Sequence, residues 1–255
     1  MSNRRAMMFS LGGLPSFNYL TDLVAYYSFD GSNATDIHTG THNGTLVGSP
    51  TFPSGKNSNC IDFANNNNAN YINIADSADF SFTNGTNDVP ATISMWVNFE
   101  NIGDFGSWLI NKRNATIGGD EWQMMYYENR LQFTKFQYNN NGIYQATQSS
   151  PSPFVFNTWY HVLVTLDGTS SVGSTKIYIN GNLNVALDEN SGGTYTGMNN
   201  GTSIIRIGLN SWSVNLGFKH KGKIDEIAIW KNRELNSTEV TQLYNAGAGK
   251  FYNTF

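Results

Sequence analysis

The sequence predicts an all-β domain, an antiparallel sandwich or barrel with one short helix towards its C-terminal end. Three observations carry that expectation. Short β-type runs alternate with Gly/Asn/Thr clusters at the spacing of sandwich and barrel strands. Charged residues make up only 13% of the 255 residues, so Asn, Ser, Thr and Gly carry the surface polarity, as suits a turn-rich β protein. A helix signature occurs only once. Hydrophobic residues at 39% and aromatics at 14% are enough to fill a sizeable core.

Residues 1–22 hold Gly12, Gly13 and Pro15, lack sustained periodicity, and read as an N-terminal arm before a single domain over 23–255. That domain opens on "LVAYYSF", followed by a long loop, "DGSNATDIHTGTHNG". "CIDFA" and "YINIA" flank an Asn run at 65–68 and read as a hairpin with a polar tip. In "ATISMWVNF", Ile93, Met95, Val97 and Phe99 alternate with Thr92, Ser94, Trp96 and Asn98, the period of a half-buried strand. Further runs follow: "SWLINKR", "EWQMMYYEN", "RLQFTKFQY", "GIYQATQ", "WYHVLVTLD", "TKIYINGNL", "SIIRIGL" and "KIDEIAIW". The Asn-Gly pair in "YINGNL" is a strong hairpin signal. In the helix, Asn236 is the N-cap and Glu239 completes a capping box. Leu235 and Val240 form a hydrophobic staple, Val240, Leu243 and Tyr244 share a face, and Gly247 is the expected left-handed stop.

A net charge of −4 leaves no basic footprint for nucleic acid. Cys60 is the single cysteine, so no disulfide forms within the chain. No run of about 18 apolar residues exists to cross a membrane as a helix. The N-terminal "MSNRRAMMFSLGGLPSFN" has the arginines of a signal peptide, but glycines and proline break its apolar run. No Gly-x-Ser-x-Gly, His-Glu-x-x-His or P-loop pattern occurs. The four histidines are scattered, and His161, inside "WYHVLVTLD", reads as a packed structural residue.

Four segments, in order, resemble the laminin-G-like, concanavalin-A-like jelly-roll superfamily: "LVAYYSFDG…TDIHTGTHNGTLVG", "ATISMWVNF", "NTWYHVLVTLDG…TKIYINGNL" and "GKIDEIAIWKNRELNSTEVTQLYNAG". They span about residues 23 to 247. The resemblance implies an antiparallel jelly-roll β-sandwich. It does not imply one function, because this fold carries lectins, glycan-binding modules, glycosidases, adhesive domains and virion appendages.

The acids decide among these expectations. Retaining glycosidases need two carboxyls about 5–5.5 Å apart in one cleft. Neighbours on a regular strand point to opposite faces, so Asp225 and Glu226 are expected to diverge, as are Asp120 and Glu121. The alternating acids of sandwich glycosidases are also missing: from Glu226 the alternation runs through Ala228 to Trp230. The chain is therefore expected to be non-catalytic. Asp225 is expected to share the core-facing stripe of Ile227 and Ile229 at the sandwich rim. There it needs either a hard cation or hydrogen bonds from loop amides. The resemblance implies a structural calcium at this rim, for which Asp30, Asp36 and Asp225 are the candidate ligands.

Sugar recognition asks for exposed aromatic faces beside polar groups. Trp212 in the loop "GLNSWSVNLGFKHKG", Trp122 after "GGDE" and Tyr138 before "NNNG" are the candidates. The expected role is recognition or structure on an exposed surface. A phage virion component, a capsid decoration or fibre, would dock onto other virion proteins through the arm, in an oligomeric assembly, with a host glycan as further ligand. The alternative is a secreted or cell-surface bacterial carbohydrate-binding or adhesion protein.

Overall fold

The computed structural model describes residues 16–64, 70–101, 106–114, 119–137, 142–151, 154–210 and 219–255. Fifteen strands appear in chain order: β1 (Leu23–Tyr27), β2 (Gly44–Val47), β3 (Ile61–Asp62), β4 (Tyr71–Ile74), β5 (Pro90–Asn101), β6 (Ser107–Lys112), β7 (Trp122–Tyr127), β8 (Arg130–Gln137), β9 (Ile143–Gln148), β10 (Trp159–Asp167), β11 (Thr175–Ile179), β12 (Asn182–Leu183), β13 (Leu187–Ser191), β14 (Ile205–Ile207) and β15 (Lys221–Lys231). One α-helix among the described residues, α1 (Ser237–Tyr244), follows. The strands form two antiparallel sheets. One runs β1-β15-β5-β10-β11-β12, with β3 added to β15, and the other runs β13-β9-β8-β7-β6-β14-β4-β2. The architecture is the expected all-β sandwich with one short C-terminal helix.

Alternation builds the core between the sheets. Ile93, Met95, Val97 and Phe99 of β5 meet Trp122, Met124 and Tyr126 of β7, with Ile72, Ile74, Ile205 and Ile207 beside them. A second cluster lies on the outside of the seven-stranded sheet. There Tyr26, Leu163, Tyr178 and Trp230 are covered by Leu235, Val240 and Leu243 of the helix segment and by Tyr19. Phe17, Tyr252 and Phe255 pack against this cluster, so the described part of the expected arm docks on its own domain.

The local signals are realised where they are short-range. Asn180 and Gly181 both have positive φ, 52° and 76°, and join β11 to β12 as a two-residue hairpin. The Asn236 side chain accepts from the amides of Thr238 and Glu239, and Glu239 returns a bond to the Asn236 amide. The helix stops earlier than expected. Asn245, not Gly247, takes the left-handed cap at φ 51°, because an Asn side chain tolerates that conformation. The hairpin expected from "CIDFA" and "YINIA" does not form: β3 pairs with β15 in one sheet and β4 with β14 and β2 in the other. Both runs bury their apolar side in the shared core. Opposite sheets satisfy that pattern as well as a hairpin does.

Candidate functional site

The two acidic pairs behave differently. Asp120 and Glu121 diverge as expected: Asp120 pairs with Arg113 at 2.8 Å, while Glu121 pairs with Lys112 on the other side of β6. Asp225 and Glu226 do not. The register of β15 on β5 slips between Asp225 and Ala228, and Glu226 has φ 52°, so an extra residue is taken up in a bulge. Asp225 then stands opposite Trp96, on the outer face, while Ile224, Ile227 and Ile229 enter the core. Asp225 therefore does not share the stripe of Ile227 and Ile229, and the two acids converge instead of parting.

Both carboxylates meet one turn. Asp225 Oδ2 accepts the amides of Lys56 at 2.9 Å and Asn57 at 3.1 Å, and Oδ1 accepts the Glu226 amide at 2.9 Å. Glu226 Oε1 accepts Asn57 Nδ2 at 2.8 Å, and Oε2 accepts a short bond from the Tyr26 hydroxyl. Gly55 lets this turn approach, since a Cβ there would lie 2.5 Å from Asp225 Oδ2. Burial, together with the neighbouring Glu226 charge, pushes the Asp225 carboxyl up to about 8 against the pull of three amides. Burial likewise pushes Glu226 up to about 7, although Tyr26 and Asn57 hydrogen bonds oppose it. The spaces beside the pair are about 100 Å³, under Phe251 and Tyr252, and about 10 Å³, against Trp96 and His161. Ligand sites are typically about 300–1,000 Å³, so neither space admits a sugar chain. The two carboxyls therefore converge but lie buried, Asp225 at 0% and Glu226 at 4% exposure.

The calcium candidates are engaged by other donors. Asp36 is 1% exposed and binds the Tyr26 and His38 amides and the Thr39 hydroxyl. Burial alone would raise its carboxyl, but these hydrogen bonds hold it below its usual value. Asp30 is exposed and accepts the Asn59 amide at 3.3 Å. Among the described residues no three His, Cys, Asp or Glu side chains stand close enough together to hold a metal ion. The set Asp30, Asp36 and Asp225 therefore does not fit one shared cation, and loop amides satisfy Asp225 instead.

Of the three aromatic candidates, only Trp122 lies among the described residues. Trp122 is fully buried, stacks on Phe82 at 5.1 Å and donates to the Phe80 carbonyl; it is a core residue and not a sugar platform. The inward phase of β7 decides this. Trp212 and Tyr138 lie outside the described residues. His161 is packed, as expected: it bonds Ser94 at 2.8 Å, and burial pushes it down to about 3.

Strand pairing places a different constellation on the outer face of the eight-stranded sheet. Thr45, Asn73, Arg206, Asn111, Gln123 and Thr134 lie directly opposite one another on β2, β4, β14, β6, β7 and β8. This polar row crosses six strands. Tyr71, Trp108 and Met125 stand two or three positions along the same strands on one side, with Phe136 of β8 and, opposite it on β9, Tyr144 on the other. The Trp108 indole donates to Gln123 at 3.3 Å. The Arg113 guanidinium lies 4.3 Å over Phe136, and Arg206 lies 4.8 Å over Tyr71. Thr45 is exposed and Tyr71, Asn73 and Arg206 are half-buried, so the β2–β4–β14 end meets solvent. A wider depression, about 870 Å³, runs along the polar side of α1, where no aromatic ring among the described residues lines it. Size alone does not make it the better sugar site, because stacking needs a ring. Sequence reading passed over the polar row because each member is an ordinary outward residue of its own strand.

The two packed antiparallel sheets define a jelly-roll β-sandwich. A family model described as the concanavalin A-like lectin/glucanases superfamily matches residues 65–241, and the chain belongs to that superfamily. A search of curated proteins returns no match to this sequence. Among solved structures, domain 4 of AbnA, an extracellular arabinanase from Geobacillus stearothermophilus in complex with arabinotriose, is similar at TM-score 0.58 and 17% identity, over 88% of this chain and 98% of that one. The binding domain of Paraclostridial Mosquitocidal Protein 1 matches at TM-score 0.66 and 19% identity, over 89% of this chain and 53% of its own. The binding domain of Botulinum Neurotoxin DC in complex with SialylT matches at 0.62 and 15%, over 89% and 52%. This chain spans about half the length of those toxin binding domains. At such identities the likeness shows the fold.

Proposed function

We propose that the chain is a non-catalytic recognition domain that binds glycan on the outer face of its eight-stranded sheet. The observation that carries this reading is the solvent-facing end of the row, where Thr45, Asn73 and Arg206 stand in register beside the Tyr71 ring. A hydroxyl, an amide and a guanidinium supply directional donors and acceptors, and the Tyr71 ring supplies an apolar face for sugar C–H groups. Support also comes from the arabinotriose and SialylT bound by domains of the same fold. The buried state of Asp225 and Glu226 favours recognition over hydrolysis.

The test is a glycan array with purified protein and a Tyr71→Ala variant. Wild-type binding to at least one glycan, reduced about tenfold or more in the variant, is the expected result. Release of reducing sugar from a bound polysaccharide would sink the non-catalytic reading.

For its setting, the reading is an exposed particle surface, a phage virion decoration or fibre, reached through the N-terminal segment. Support comes from the segment's lack of strand periodicity; its Phe17 and Tyr19 pack against the domain itself. Deleting residues 2–15 leaves both aromatics in place, and incorporation into assembled particles is expected to fall. The second reading, a secreted or cell-surface carbohydrate-binding protein, is favoured by the similar domain of an extracellular arabinanase.

A further inference from the structure

Resting on the glycan reading above, we infer that the preferred ligand is anionic, a sugar bearing a carboxylate or sulfate group held by Arg206. Two arginines lie over rings of this face, but among the described residues only one has a carboxylate partner. Arg113 gives Nη2 to Asp120 at 2.8 Å. Arg206 has no carboxylate partner among the described residues. Its Nε donates to Asn73 Oδ1 at 3.2 Å and its Nη1 to the Asn210 carbonyl at 3.4 Å. Its Nη2 makes no hydrogen bond among the described residues.

That arrangement is costly without an anion. Half-burial disfavours the charged guanidinium and lowers its pKa, which the Tyr71 phenol only partly offsets. Asn73 and the Tyr71 ring fix the plane, so little rotamer entropy is lost when Nη2 meets an oxyanion. A carboxylate or sulfate would accept a charge-assisted bond from Nη2 while its sugar ring lies towards Asn73 and Thr45. Non-specific attraction cannot account for such binding, since the whole chain carries −4.

The experiment is calorimetric titration of the full chain with 3′-sialyllactose and trigalacturonate (carboxylate), a heparin-derived tetrasaccharide (sulfate), and lactose and arabinotriose (neutral). At least one anionic probe is expected to bind about tenfold or more tighter than the neutral ones, and to weaken as salt rises. The carboxylate and sulfate arms distinguish the two sources of charge. Arg206→Gln is expected to remove the preference, whereas Arg206→Lys keeps the charge and its salt dependence at reduced affinity. Thermal unfolding checks that each variant is folded, and if Arg206→Gln is not, Arg206→Lys and the wild-type preference decide. Equal affinity for neutral and anionic probes, or a preference that Arg206→Gln leaves intact, overturns the anionic class while the glycan reading stands. Binding to no probe, neutral or anionic, overturns both.

Discussion

The outer face of the seven-stranded sheet carries Tyr26, Trp230, Asp225 and Glu226, and the chain covers it with α1, Tyr19 and Phe255. The outer face of the eight-stranded sheet carries Thr45, Asn73 and Arg206, which meet solvent at one end. The two faces share a core and a strand period, yet one has become a second core and the other a display of polar groups. The difference teaches where to look for chemistry. A conspicuous acid pair lies on the covered face and is used up by the Lys56–Asn57 turn, while ordinary-looking amides on the other face stand in register with an arginine.

Substitution on the covered face should have the largest effect. Trp230 is fully buried, lies in the outer cluster and donates its indole N–H to the Tyr19 carbonyl at 2.7 Å. Trp230→Ala is expected to lower unfolding free energy by about 3–5 kcal/mol in urea titration, through cavity formation and the lost bond. A change below about 1 kcal/mol would mean that this face is not a second core.

The next effect is a pH dependence, set by Glu226, Asp225 and His161 of the same face and by His220, which packs on Phe63 and Phe99 between the sheets. Glu226 has a folded pKa of about 7, above its unfolded value, so the folded state holds more protons and stability falls as pH rises through that value. Asp225, at about 8, acts in the same direction. His161 and His220, pushed down by burial to about 3 and about 4, act oppositely: their contribution is present above the unfolded histidine value and is lost as pH falls towards 4 and below. These opposing limbs roughly cancel between about pH 4.5 and 6.5, so stability should form a plateau there and fall above it as only the two acids still titrate. Glu226→Gln keeps partners for Asn57 and Tyr26 but cannot ionise. Relative to wild type it should gain on the order of 2 kcal/mol between pH 5 and 8, read from thermal unfolding at each pH. Parallel wild-type and variant profiles would show that Glu226 does not titrate in this window.

The smallest effect sharpens the contrast from the other side. Thr45→Ala, at the exposed end of the polar row, should change stability by no more than about 0.5 kcal/mol. A loss as large as that of Trp230→Ala would mean that the row is structural and not a binding face.

The sandwich was legible because its signals are local. Alternation in "ATISMWVNF", the Asn180–Gly181 turn and the Asn236 cap each depend on a few adjacent residues, and each appears as read. β2 and β13 are not among the runs that alternation marks, because these short edge strands owe their state to hydrogen bonds from β4 and β9 rather than to an apolar pattern of their own. The candidate site was less legible. Trp122 reads as an exposed aromatic by its turn, but the phase of β7 sends it into the core.

By itself the sequence determined the strand period, the hairpin and helix signals, and membership in a jelly-roll superfamily, since these are recorded in neighbouring residues. Only the tertiary structure decided that Asp225 and Glu226 converge, because one left-handed residue shifts the register against β5 and reverses the face of Asp225. It also decided that Asn73, Arg206 and Gln123 share one row, because a strand carries no record of the strand it will pair with.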